Sequence, residues 1–380
     1  MSSTLKKTGK RSSPVWKPRR PKALCGVLLL AMVAGSAGVP EASAGSRQED
    51  GTPGWVVGAA PHLDLWFHGL AVMGVDGPGP LPLYAAGYAA AIRQLKQERG
   101  VFPTALDVQA EAIEAEFASS PAFEVAHFLP LYFVSADRDR MFEALEQVAR
   151  DGHADEVTDF RAKFGAGVVA QVLTESHQRQ VLVDYSRLLE AEWNSFYENF
   201  WSELASSRQE LHRELQLRWD HELAPRLQPY LHEARLNAGA IVTSPVLGAE
   251  GRIFEGDPRQ RDDNLVVVGF PLGSADLDAV LANVVRELSF PILRRVLNTN
   301  TTAGRDPEEA EAESSLAAVR CGAFMLQRYA PDQVAAYQHS FVSALRLEPA
   351  AAGAALDAQF EQAFSISDEL AEMLASEVSR

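Results

Sequence analysis

Cysteine is nearly missing from this 380-residue chain. Only Cys25 and Cys321 are present, and Cys25 falls within the N-terminal 44 residues that differ from the rest. The remaining body has one thiol and forms no internal disulfide, so its fold rests on its hydrophobic core. Signatures of several enzyme classes are also missing. There is no Gly-x-Ser-x-Gly nucleophile elbow, no P-loop, and no Gly-x-Gly-x-x-Gly following a strand. A serine hydrolase of that type and nucleotide or dinucleotide binding therefore lack support. Positive charge is scarce as well: 35 Lys and Arg stand against 51 Asp and Glu. Disorder is not implied, because 47% hydrophobic and 23% charged residues is an ordinary globular composition.

The scarce basic residues are concentrated at the start. Lys6, Lys7, Lys10, Arg11, Lys17, Arg19, Arg20 and Lys22 precede the apolar run 23–39, which closes on Ala42-Ser43-Ala44. Basic, then apolar, then small-x-small is the layout of a secretory signal peptide, with cleavage expected after Ala44. An uncleaved anchor is the competing reading, but Gly26, Gly35 and Gly38 interrupt a run that is short for a span of roughly 20 residues. Arg19-Arg20 hints at twin-arginine export, which Pro21 and Lys22 fit poorly. Cleavage would remove eight basic residues and one acid, leaving a formal charge near −23. Such a surface repels phosphate backbones, so nucleic acid is an unsuitable partner, and anionic membranes are disfavoured. The expected location is periplasmic or extracellular, with no stable membrane span after cleavage.

Residues 45–55 read as a linker, 56–238 as a helical region, and 239–380 as a small sheet with further helices, all in one domain. Helices are expected from Pro61, over Tyr84–Gln97, Ala105–Ala118, Pro121–Val134 and Arg138–Arg150, and around Val157–Leu173. The clearest period runs from Tyr185 to Leu223, where Trp193, Phe196, Tyr197, Phe200, Trp201 and Leu204 share one face. Leu211, Leu215, Trp219 and Leu223 continue the stripe, with Glu190, Glu192, Glu198 and Glu203 placed opposite. A core-facing helix is the plain reading and an aromatic ligand groove the sharper one. Pro225 and Pro229 are expected to end or kink it. Short β-branched runs at Ala240–Thr243, Arg252–Phe254 and Leu265–Val268, separated by glycines, predict a small antiparallel sheet. The predicted class is mainly α with that sheet (α+β).

The helix expected over Ala275–Leu297 contains Arg286-Glu287-Leu288-Ser289-Phe290-Pro291. A zincin helix presents His-Glu-x-x-His: two imidazoles one turn apart hold zinc, and the Glu activates water. This stretch resembles that motif with Arg286 and Phe290 at the two histidine positions, Glu287 retained, and Pro291 following as in some exported zincin-like families. Element order agrees with gluzincin-type metallopeptidases: helices, a sheet, the motif helix, then a helix carrying a glutamate ligand. Glu308, Glu309, Glu311 and Glu313 occupy that last region, and Glu313 is best placed. The resemblance implies a zincin-like body with degenerate metal positions at Arg286, Phe290 and Glu313. Glu287 would be a relic of the general base, and no metal or other cofactor is expected. Arginine has no lone pair to offer a metal, so Arg286 is expected to replace the ion by pairing with Glu313 or a neighbouring acid.

Other metal candidates lack spacing. His62 and His68 are six apart, prolines follow His221, and His221-Glu222-Leu223-Ala224-Pro225 has Pro where a second His belongs. His127 and His339 read as core or boundary histidines, and Cys321 as a buried structural thiol. The expected function is noncatalytic peptide or protein binding by an exported, zincin-like pseudoenzyme. An active hydrolase with unrecognised metal ligands and an unrelated helical interaction protein remain alternatives.

Overall fold

The computed structural model describes residues 54–75, 80–133, 137–256, 264–299 and 307–380. The leader, the linker up to residue 53 and most of the 298–307 loop lie outside the described residues, as do the side chains of Glu308, Glu309 and Glu311. The chain is mainly helical around a four-stranded sheet. The strands are β1 (Trp55–Gly58), β2 (Gly239–Ser244), β3 (Arg252–Phe254) and β4 (Asn264–Gly269). Their spatial order is β1-β2-β4-β3. β1, β2 and β4 are parallel and only β3 is antiparallel, which corrects the expected antiparallel sheet. The glycine-rich turns between β2 and β4 suggest hairpins, but β3 crosses to the far side of β4 and leaves β2 and β4 as neighbours. Every residue of β2 and β4 is buried, the pattern of parallel strands covered on both faces. β1 also corrects the linker boundary: Trp55 is buried, and its Nε1 donates to Leu236 O at 2.8 Å. Four residues are too few for a strand period to be visible in the sequence.

Before the sheet's second strand come α1 (Pro61–Met73), α2 (Tyr88–Glu98), α3 (Ala105–Ala118), α4 (Arg138–Asp151), α5 (Phe160–Val172), α6 (Ser176–Glu192), α7 (Glu198–Arg218) and α8 (Ala224–Glu233). After β4 follow α9 (Leu277–Leu288), α10 (Phe290–Thr299), α11 (Pro307–Tyr329), α12 (Val334–Ala344), α13 (Ala354–Ala363) and α14 (Asp368–Ser379). α3 spans the predicted Ala105–Ala118, and its start is fixed by a reciprocal capping box between Thr104 and Asp107. α2 starts four residues later than expected, after Gly87 at φ 78°, a left-handed turn that glycine adopts without a Cβ penalty. The helix expected over Pro121–Val134 is, up to Phe133, two 3-10 turns instead, Pro121–His127 and Leu129–Phe133, and Val134 lies outside the described residues. Pro130 has no N–H to give the carbonyl four residues back, Ala126 O, which instead accepts from Trp66 Nε1 at 2.8 Å.

The long aromatic helix is helical from Ser176 to Glu233, with π turns at Trp193–Tyr197 and Trp219–Leu223 joining α6, α7 and α8. Phe196, Tyr197, Leu215, Trp219 and Leu223 are buried, as a core-facing stripe requires. Glu190, Glu198 and Glu203 are exposed, but Glu192 is fully buried. Alternate residues of the buried strands serve two cores. Ile241, Val266 and Val268 face α8, α9 and the C-terminal helices. Ala240, Val242, Leu265 and Val267 face α1 and the N-terminal helices.

Candidate functional site

α9 brings the stretch Arg286–Pro291 against the sheet, since it follows β4 through a short turn and buries Leu277, Val280, Val284 and Leu288. The expected continuous helix breaks for one residue at Ser289. Pro291 cannot donate to Glu287 O, so α9 ends and α10 begins at a bend. Arg286 and Phe290 nevertheless meet: the guanidinium carbon lies 5.3 Å from the centre of the Phe290 ring.

Arg286 is completely buried. Its Nη1 donates to Glu287 Oε1, and its Nη2 donates to Ser315 Oγ at 3.0 Å and lies 4.0 Å from Glu250 Oε1. Glu250 Oε1 also accepts from Arg252 Nη1 at 2.6 Å. Two guanidinium groups thus face two carboxylates, a balance that a dry interior requires. Gly251 permits this approach, because a Cβ there would stand 2.8 Å from both Glu287 Cγ and Val267 O. The acids meeting Arg286 are Glu287 and Glu250, and the contact from α11 comes from Ser315. Glu313 lies half-buried two residues before Ser315. Sequence reading did not single out Glu250, Arg252 or Ser315; a charged pair beside a short β-branched run, Glu250-Gly251-Arg252-Ile253, was the available signal.

Burial pushes the Glu287 carboxyl above its ordinary range, against the pull of Arg286 and Arg252. Arg286 is pushed down by burial but raised overall by Glu287 and Glu250, so it stays charged. Glu287 and Glu250 each accept from a guanidinium, Glu287 from Arg286 and Glu250 from Arg252. Among the described residues, no group of three His, Cys, Asp or Glu side chains is placed to hold a metal ion.

The histidines are dispersed. His221, His232 and His339 are exposed, so His339 is not the core or boundary residue expected from its neighbours. His127 is buried and meets Tyr84 Oη at 3.1 Å. His212 Nε2 lies 2.7 Å from Thr243 Oγ1, and burial lowers its pKa to about 4. Burial likewise lowers His62 to about 4. Cys321 is buried with its pKa pushed up to about 12 by burial, which makes it an inert thiol.

A second polar cluster escaped the sequence reading because its members are far apart in the chain. Lys96 Nζ lies 2.7 Å from Glu192 Oε1, 2.9 Å from Asp107 Oδ2 and 3.2 Å from Thr104 Oγ1, which uses all three ammonium donors. His68 Nε2 is 3.1 Å from Glu192 Oε1, and its Nδ1 is 2.8 Å from Tyr88 Oη. Burial pushes Glu192 upward, but the His68 hydrogen bond and the adjacent Lys96 ammonium outweigh it and hold the carboxyl at about 2. An ionised Glu192 needs a donor, so the neutral His68 carries its proton on Nε2 and accepts from Tyr88 on Nδ1. These contacts explain why Glu192 turns inward at the first π turn. Comparison with protein-family models, curated proteins and solved structures finds no match to this chain.

Proposed function

We propose that this chain is an exported, zincin-like binding protein without catalytic zinc, and that its ligand is an extended peptide. The observation that carries the reading is the buried Arg286 guanidinium, held by Glu287 and Ser315 over the Phe290 ring. A covalently attached cation occupies the position at which a zincin would bind its ion, so the acids stay neutralised while the Lewis acid is lost. Element order supports the kinship, since the motif follows the sheet and precedes a long helix, α11, that reaches Arg286 through Ser315.

The peptide half of the proposal rests on the sheet. β3 is the last strand in the order, with no strand paired beyond it among the described residues. Its Phe254 forms an aromatic group with Tyr132 and Phe164, at centroid separations of 5.7 to 6.0 Å. Phe164 is 56% exposed and offers an anchor beside that edge. An added strand would gain main-chain hydrogen bonds from the edge and side-chain specificity from the rings. The acidic surface favours a neutral or basic peptide.

Metal analysis of the mature protein tests the first half. Substoichiometric zinc is expected, and one tightly bound zinc per chain would overturn it. The double variant Arg286→His/Phe290→His is expected to acquire zinc; a folded double variant that binds none argues against the kinship. For the second half, a peptide array should yield ligands whose affinity falls about tenfold with Phe164→Ser. Loss of no more than twofold would remove the β3 edge as the docking site.

A further inference from the structure

A separate constellation lies at the carboxyl ends of all three parallel strands. α1 follows β1 and carries Asp64, β2 ends in Thr243 and Ser244, and β4 leads into Phe270. α7 supplies Arg208 and, one turn later, His212. The carboxyl ends of parallel strands are where open α/β sheets take their ligands.

Arg208 is only 1% exposed, yet its Nε, Nη1 and Nη2 have no hydrogen-bond partner. Asp64 Oδ2 accepts from Trp201 Nε1 at 3.0 Å and stands 3.5 Å from Arg208 Nη1, in ion-pair range without hydrogen-bond geometry. Asp64 Oδ1 is also buried and makes no hydrogen bond of good geometry, although Ser244 and Arg208 lie close enough to Asp64 to draw its pKa down against burial. Phe270 lies across the guanidinium at 4.5 Å and meets the His212 ring edge-on at 5.6 Å. A buried fork of donors beside an unused carboxylate oxygen is costly unless something completes it.

We propose that Asp64 and Arg208 form a recognition site for a free α-amino acid, whose carboxylate takes the Arg208 fork and whose ammonium takes Asp64 Oδ1. The unused groups define this complement: guanidinium donors require an anionic acceptor, and the lone carboxylate oxygen requires a donor. Arg208 and Asp64 stand 3.5 Å apart, so a ligand that carries both an anionic and a donor group meets a partner for each. Planar, bidentate carboxylate binding is the geometry for which arginine is suited. The β4–α9 turn acts as the cover. Its Phe270 ring lies against the guanidinium, Leu272 two residues on is 84% exposed, and Gly269 and Gly273 flank the turn. Entry requires Phe270 to lift from the guanidinium.

Calorimetry on the purified mature chain with a panel of free L-α-amino acids tests this, with acetate and methylammonium as half-ligands. Saturable binding of at least one panel member is expected, with each half-ligand at least about tenfold weaker. Arg208→Lys keeps the charge but removes the fork and should weaken binding at least about tenfold. Asp64→Asn provides the same readout should Arg208→Lys not fold. Bound ligand should also alter the fluorescence of Trp201, the indole hydrogen-bonded to Asp64. The proposal fails if no panel member binds, if acetate binds as tightly as the zwitterion, or if folded Arg208 and Asp64 variants bind unchanged.

Discussion

Arg286 does two things at once: it brings a charge into a dry interior and supplies the counterion for two acids. Removing one member of such a group leaves the others uncompensated, which costs about 3–5 kcal/mol. Arg286→Met is therefore expected to lower unfolding stability by about that much in urea titration. Pairing it with Glu287→Gln should cost less than the sum of the single changes, because the second substitution removes a charge that the first stranded. Additive losses would mean that the two side chains do not act as a pair. The motif residues themselves were legible, since Arg, Glu, Phe and Pro at those spacings stand out in an apolar helix. Their partners were not, because Glu250 and Ser315 reach Arg286 only when β3 and α11 converge on α9.

At the scale of elements, termini follow local chemistry and interiors follow packing. Thr104 caps α3 and also accepts from Lys96, so one hydroxyl links a helix start to the buried cluster at Glu192. Thr104→Ala is expected to cost about 1–2 kcal/mol from the cap, measured as a shift in urea midpoint. A loss under about 0.3 kcal/mol would show that the capping box is immaterial. The starts of α3 and α4 were readable from Thr104 and Asp137, whose side chains accept backbone N–H groups of the first turn. The break at Pro130 was readable in principle and was overridden by the surrounding apolar spacing. The π turn that carries Glu192 inward was not readable, since an inserted helical residue has no compositional mark and is stabilised by Lys96 and His68 from other helices.

Across the whole molecule, buried ionisable groups set the response to acid. His62 and His212 have folded pKa values of about 4 against 6.5 for the free side chain. The unfolded chain therefore takes up protons first, so stability is complete above pH 6.5 and falls as pH drops toward 4. Each histidine contributes a loss on the order of 2–3 kcal/mol across that window. Glu192, held at about 2 against 4.5, extends the loss from pH 4.5 downward. Asp64 and Glu287 are raised by burial and act with the opposite sign, so single variants give the clearest measurement. His212→Gln should make the fall in urea midpoint between pH 6.5 and 4 visibly shallower; an unchanged slope would show that His212 does not titrate with folding.

Helical content, the inward aromatic stripe and the acidic character of the body all follow from composition and local period, which act over a few residues and are written along the chain. Strand direction is different. The same short β-branched runs fit either orientation, and it is the placement of β3 beyond β4 that leaves β2 and β4 as parallel neighbours. The inward turn of Glu192, the Arg286 acid pairing and the meeting of Asp64 with Arg208 are likewise tertiary outcomes. Each joins groups distant in sequence, and a buried charge selects its partner by three-dimensional proximity and desolvation, neither of which a linear pattern records.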